Sequence, residues 1–368
     1  QGLFSQPWAM RVVHFGRRLY QRARHQRFTV RSAALGVAAT GCVSASAAVA
    51  LAWYTLCTIH RARRRGYTDD FVLTPEDMNM PYEELQFFTE DGVSLKGWFI
   101  PQSSGGRLSR RVIVCCHPYN WSKSNLLGLV LRLWERRYSV FLFDFRSFSH
   151  SPGNQSLGYL EQRDARAAIA CAKRAAPEGA MIGIVGASMG GAVALIVGHE
   201  AASEAVGIAS DCAFADLESL LVSRVQTRAH IPACVAALVI QIATFLNPLF
   251  FSYSLADVSP AAVVAAGGSE RAGEVPLLLL HAANDDVIPI SHLHAIHSAA
   301  AAPPEKKHQV VYDHCNHVGC FFVDRERYVK LLTDFFDEHF ATLEKEARAA
   351  SASTSDHMGT GDDTPGTR

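Results

Sequence analysis

The chain has 368 residues, 49% apolar and 19% charged, which is enough apolar material for one large domain or two small ones. Its net charge of zero is unevenly divided: residues 1–68 carry 11 Arg and no acid, and the remainder carries 24 basic and 35 acidic residues. The larger part therefore has no basic face of the kind nucleic acids require. Nine cysteines without a C-x-x-C pair suggest neither a zinc finger nor a disulfide framework, only buried thiols in a reducing compartment.

A basic segment, residues 1–32, precedes an uncharged run at 33–59 that is closed by Arg31 on one side and by Arg61, Arg63, Arg64 and Arg65 on the other. A membrane-spanning helix needs about 20 such residues, and Trp53 and Tyr54 suit an interfacial belt. The run is read as an uncleaved single-pass transmembrane anchor, with residues 60–81 as a linker. Two rivals stand beside it: a secretory signal cleaved near Ala45-Ser46-Ala47, and an Arg-rich mitochondrial presequence. With arginines on both sides, the charge rule leaves orientation and membrane open.

From residue 84 short apolar runs alternate with helical patterns. Strands are predicted at 84–89, 94–100, 112–117, 139–144, 181–186, 206–211, 276–281 and 308–313. Helices are predicted at about 124–137, 159–174, 189–200, 290–301 and 324–345. Glu90-Asp91-Gly92 marks a hairpin between the first two strands. Such alternation predicts a mostly parallel sheet with helices on both faces, whose ligand site lies beyond the carboxyl ends of the strands. The interval from 213 breaks the pattern with "ACVAALVIQIATFLNPLFFS" (233–252), uncharged but preceded by Pro232 and interrupted by Asn247-Pro248. It is read as a helical cap, about 213–260, over the site; a second membrane span is the rival. The folded domain is drawn at 82–345, and the Ser/Thr/Gly/Asp-rich tail, 346–368, is expected to be disordered.

Within "GIVGASMGGAVAL" (183–195), Ser188 follows a strand and precedes a helix, the context of a strained nucleophile turn. Gly186, Gly190 and Gly191 leave room for the close approach of helix and strand. A serine hydroxyl needs a base to take its proton, and the base and its orienting acid must follow later strands. "PLLLLHAANDDVIP" places Asp285 and Asp286 at that edge, and "HQVVYDHCNHVG" places His314 and His317 there. Met189 N–H, at the start of the helix, and Tyr119 N–H, after the third strand, are the candidate oxyanion donors. Pro118 has no N–H to offer. His117, His150 and His281 are read as packing or loop residues, and no Cys/His/Asp/Glu spacing implies a metal or other cofactor.

In order along the chain, "EDGVSLKGWFIP", "HPYNWSKS", "LFDFRSFSHSPG", "GASMGG", "LLLLHAANDDVIP" and "HCNHVG" resemble the α/β-hydrolase superfamily. The resemblance is to the branch of serine aminopeptidase S33-like and prolyl-oligopeptidase-like hydrolases, over about residues 82–340. It implies Ser188 as nucleophile, Asp285 as the acid two residues before the Ile288-Pro289 pair, and His317 as base. Asp286 and Asp211 are the alternative acids. The sequence departs from the family at Pro118, where it usually has Gly, and in Asp144-Phe145-Arg146-Ser147-Phe148-Ser149-His150-Ser151, where serines replace both glycines.

The expectation is a membrane-anchored serine hydrolase that needs no cofactor. It would cleave carboxylic esters or thioesters of lipid-like or small acyl substrates through an acyl-enzyme. An S33-like peptidase is the alternative, and an inactive membrane-tethered interaction protein is the rival from another class. Nothing in the sequence fixes an oligomeric state.

Overall fold

The computed structural model describes residues 45–60, 73–148, 153–201, 205–266 and 275–358. The chain divides between Thr55 and Leu56, inside helix α1 (Ala45–His60). Of the expected anchor at 33–59, residues 45–59 are helical; residues 33–44 and the basic segment 1–32 lie outside the described residues. On its own α1 is shorter than the about 20 residues that cross a bilayer.

The sheet is built from β1 (Glu83–Phe88), β2 (Ser94–Ile100), β3 (Arg111–Cys116), β4 (Ser139–Phe143), β5 (Met181–Ala187), β6 (Ala205–Asp211), β7 (Leu277–Ala282) and β8 (Lys307–Tyr312). Their spatial order is β1-β2-β4-β3-β5-β6-β7-β8. β2 runs antiparallel to both β1 and β4, and the other neighbours are parallel. Each strand begins and ends within one residue of its predicted span. The apolar residues on successive positions explain this, because strands such as β6 are buried on both faces. A short ribbon, Ser103–Ser104 with Arg107–Leu108, has too few residues to show a pattern in sequence.

The helices are α2 (Leu127–Glu135), α3 (Glu161–Ala175), α4 (Met189–Glu200), α5 (Leu217–Ala229), α6 (Ala233–Phe251), α7 (Pro260–Ala266), α8 (Ser291–Ala299), α9 (Cys320–Val323) and α10 (Arg325–Met358). One core joins Val130 and Leu133 of α2, Phe336 and Phe340 of α10, and Ile113 and Leu142 of the sheet. α4 is buried from Met189 to His199, so the helix behind Ser188 is gripped on all sides.

Two expectations are corrected. The tail expected to be disordered from 346 instead continues α10 to Met358, entered through Glu346-Ala347-Arg348-Ala349-Ala350, residues that lose little on joining a helix; residues 359–368 lie outside the described residues. The expected break at Asn247-Pro248 does not end α6. Pro248 stands in its last turn, and buried Asn247 donates from Nδ2 to the Tyr253 carbonyl at 2.7 Å. α5 and α6 form a helical hairpin within the predicted cap. Asp216 caps α5 by accepting from Ser219 N–H at 2.7 Å. His230, in the left-handed region, closes α5, and Pro232 precedes α6.

Candidate active site

Ser188 sits between β5 and α4 with φ 54° and ψ −122°, a conformation that costs a non-glycine residue roughly 1–3 kcal/mol. Its surroundings hold it there. A methyl group at Gly186 would lie 2.2 Å from the Gly190 carbonyl oxygen, and one at Gly190 would lie 2.3 Å from the Cys116 carbonyl oxygen. The Ser188 N–H donates to the Asp211 carbonyl at 2.8 Å. That amide is thus committed to the fold, and the side chain is raised above the sheet edge.

His317 lies on the loop after β8. Its Nε2 is 2.8 Å from Ser188 Oγ, and its Nδ1 is 2.7 Å from Asp285 Oδ2. A carboxylate only accepts, so Nδ1 carries the proton shared with Asp285, and Nε2 presents its lone pair to the Ser188 hydroxyl. Asp285 Oδ1 accepts from Val287 and Ile288 N–H, both at 2.8 Å. Burial pushes the Asp285 carboxyl up, but the His317 hydrogen bond and these two amides outweigh it and hold the group below the usual range. The Asp285 carboxyl is therefore charged where it meets the His317 ring.

The alternatives fall away from this line. Asp286 is exposed, and its carbonyl accepts from Arg224 at 3.2 Å. His314 is exposed. Asp211 ends β6, buried, with Oδ2 accepting from the Tyr328 hydroxyl at 3.1 Å; burial pushes its carboxyl up. His150 lies outside the described residues.

The candidate oxyanion donors are arranged unequally. Met189 heads α4, where helix geometry leaves an N–H without an intrahelical acceptor. Tyr119 lies on the loop after β3, its ring edge-on to Phe148 and its hydroxyl accepting from Gln155 Nε2 at 3.0 Å. His117 steadies this loop: its Nε2 accepts from Phe145 N–H at 3.0 Å, so Nδ1–H donates to the Pro118 carbonyl at 2.8 Å. Burial lowers the His117 pKa and keeps it neutral.

The Asp144–Arg146 loop is held as firmly. Arg146 donates to Asp164 from its backbone N–H at 2.8 Å and from Nε at 2.9 Å, and forks onto Asp91 at 2.8 and 2.9 Å. Ser147 adopts φ 65° where the related pattern has glycine.

His281 is a support that sequence reasoning assigned to packing. Its Nε2–H donates to the Ile288 carbonyl at 2.9 Å while lying 3.6 Å from Asp285 Oδ2, so it braces the loop that presents the acid. Its place in β7, four residues before Asp285, was the available signal. Two trios, Asp211–Cys212–Cys320 and Cys212–His281–Asp285, bring ligand-type atoms within 4.8 Å. The bonds to Tyr328, Ile288 and His317 already occupy their hard donors, so a metal would have to break the contacts that hold the acid.

Residues 108–248 match the family model for the serine aminopeptidase family S33. The uncharacterised protein YfhR of Escherichia coli O157:H7 is 30% identical over 263 residues, 69% of this chain and 79% of that protein. YqkD of Bacillus subtilis, also uncharacterised, is 25% identical over 248 residues, 67% of this chain and 76% of that protein. Among solved structures, an esterase of Pyrococcus furiosus superposes with a TM-score of 0.57 at 22% identity, over 72% of this chain and 96% of the other. With this sheet order, the strained serine turn and these matches together, the chain belongs to the α/β-hydrolase superfamily, in the company of the S33 serine aminopeptidases.

Proposed function

We propose that this hydrolase cleaves carboxylic ester or thioester bonds through an acyl-enzyme formed on Ser188. The observation that carries the reading is the unbroken line from Ser188 Oγ through His317 to Asp285 at 2.8 and 2.7 Å. His317 Nε2 takes the hydroxyl proton as Oγ attacks the carbonyl carbon, and Asp285 stabilises the imidazolium that forms. Met189 and Tyr119 N–H groups receive the developing oxyanion, each such donor typically contributing about 3 kcal/mol. His317 returns the proton to the leaving group, and water then releases the acyl group by the same route in reverse.

The uncharged cap helix favours an acyl substrate. The S33 match favours a peptidase as the second reading. We propose further that residues 33–59 anchor the protein in a membrane. A fluorophosphonate probe should label the wild type and not a folded Ser188→Ala variant. Hydrolysis of acyl esters in preference to aminoacyl amides would then support the esterase reading, and the opposite preference would replace it with the peptidase.

A further inference from the structure

We infer that the outward face of α6 is a lipid-contacting surface that lays the cap flat on the membrane; this rests on the proposed anchor at 33–59. α6 divides cleanly into two sides. Ala236, Val239, Ile240, Ala243 and Asn247 are buried against the domain. Val235, Leu238, Phe245 and Leu249 are exposed, Phe245 to 74% and Leu249 to 67%. Residues 235, 238, 245 and 249 fall on one stripe at helical spacing, and no charge occurs from 233 to 252. An apolar face this continuous is not left to water without a partner.

Among the described residues α6 is long and apolar enough to cross a bilayer, yet it is bound lengthwise to the domain. Thr244 donates to Glu218 of α5 at 2.6 Å, and Asn247 donates to the Tyr253 carbonyl. Crossing would strip these bonds into hydrocarbon, whereas lying in the interface keeps them and buries only the outer stripe.

The identity of the covering phase comes from the other end of the helix. His60, the first residue after the uncharged run, stacks on Phe251 with ring centroids 3.4 Å apart and planes 4° from parallel. Its Nε2 is 2.9 Å from the Tyr253 hydroxyl. His60, covalently next to the last residue of the proposed anchor, is thus held against the terminus of α6, and by chain connectivity that terminus lies near the point where the proposed anchor would leave the bilayer. At the opposite end exposed Arg228 and His230 precede α6, suited to the headgroup zone.

The test uses the full chain in vesicles of phosphatidylcholine and phosphatidylserine, with Cys42, Cys57 and Cys234 replaced by Ser. A nitrobenzoxadiazole label is placed at Phe245→Cys, at Leu249→Cys as an independent site on the stripe, or at Lys330→Cys as the control. Bromine on the lipid acyl chains should reduce emission at least two-fold from 245 and 249 and leave 330 unchanged. Absence of quenching at both stripe positions overturns the inference, as does self-quenching between labels that ignores bromine, which would mean that a second copy covers the face. An alkaline carbonate wash separates the two claims. Chain released by carbonate but quenched at 245 removes the anchor and keeps the face; chain retained but unquenched keeps the anchor and removes the face.

Discussion

Lys123 and Asp144 are ion-paired with both side chains buried, and the Lys123 backbone N–H donates to the same carboxylate at 2.8 Å. The pair joins the loop after β3, which carries Tyr119, to the end of β4, and the ammonium also lies 4.6 Å from the Trp98 ring centroid.

Removing one member should cost far more than removing both charges. Lys123→Met takes the ammonium from the buried Asp144 carboxylate and is expected to lower stability by about 3 kcal/mol. Lys123→Met combined with Asp144→Asn should recover part of that loss. Urea denaturation of the three proteins checks the ranking.

Asp285→Asn should reduce kcat/KM on an activated ester about 10³–10⁴-fold, because the amide cannot hold the imidazole in the required tautomer. Asp286→Asn, at an exposed side chain, should change it less than three-fold, about 0.6 kcal/mol of barrier by transition-state arithmetic. A reversed order would move the acid by one residue.

Asp91 gives the fold an acid-labile element. Hydrogen bonds from Arg146 hold its carboxyl well below the usual range. Its stabilisation is therefore full above the unfolded carboxyl pKa of about 3.9 and is lost as pH falls from there toward the depressed folded value. Because solvent screens the partly exposed carboxylate, Asp91→Asn should cost only about 1 kcal/mol at pH 7, and the gap to wild type should narrow as pH drops from 5 to 2. Thermal unfolding across that range is the measurement. A gap that stays constant with pH would show that the Asp91 charge contributes nothing.

The strands were legible because a buried parallel strand leaves a run of apolar residues, and the meeting of Ser188, His317 and Asp285 because fold order restricts which residues reach that edge of the sheet. Asp285 and Asp286 were separable only by resemblance; the structure adds that one faces His317 and the other faces solvent. Other features left no local mark. The bond from Phe145 N–H to His117 spans two loops, and so does the Lys123–Asp144 pair. The continuation of α10 beyond 345 was hidden by the polar composition after it, though the alanines at 347, 349 and 350 favour a helix.

The elbow glycines also govern which substitutions the site can survive. Neither carries a side chain that could touch a substrate, yet a single methyl at either would overlap backbone atoms of a neighbouring segment. Ser188, between them, does carry a side chain, and its hydroxyl reaches His317 at 2.8 Å. The tolerance of this turn to substitution is thus set by interatomic clearance at the two glycines as much as by the hydroxyl between them.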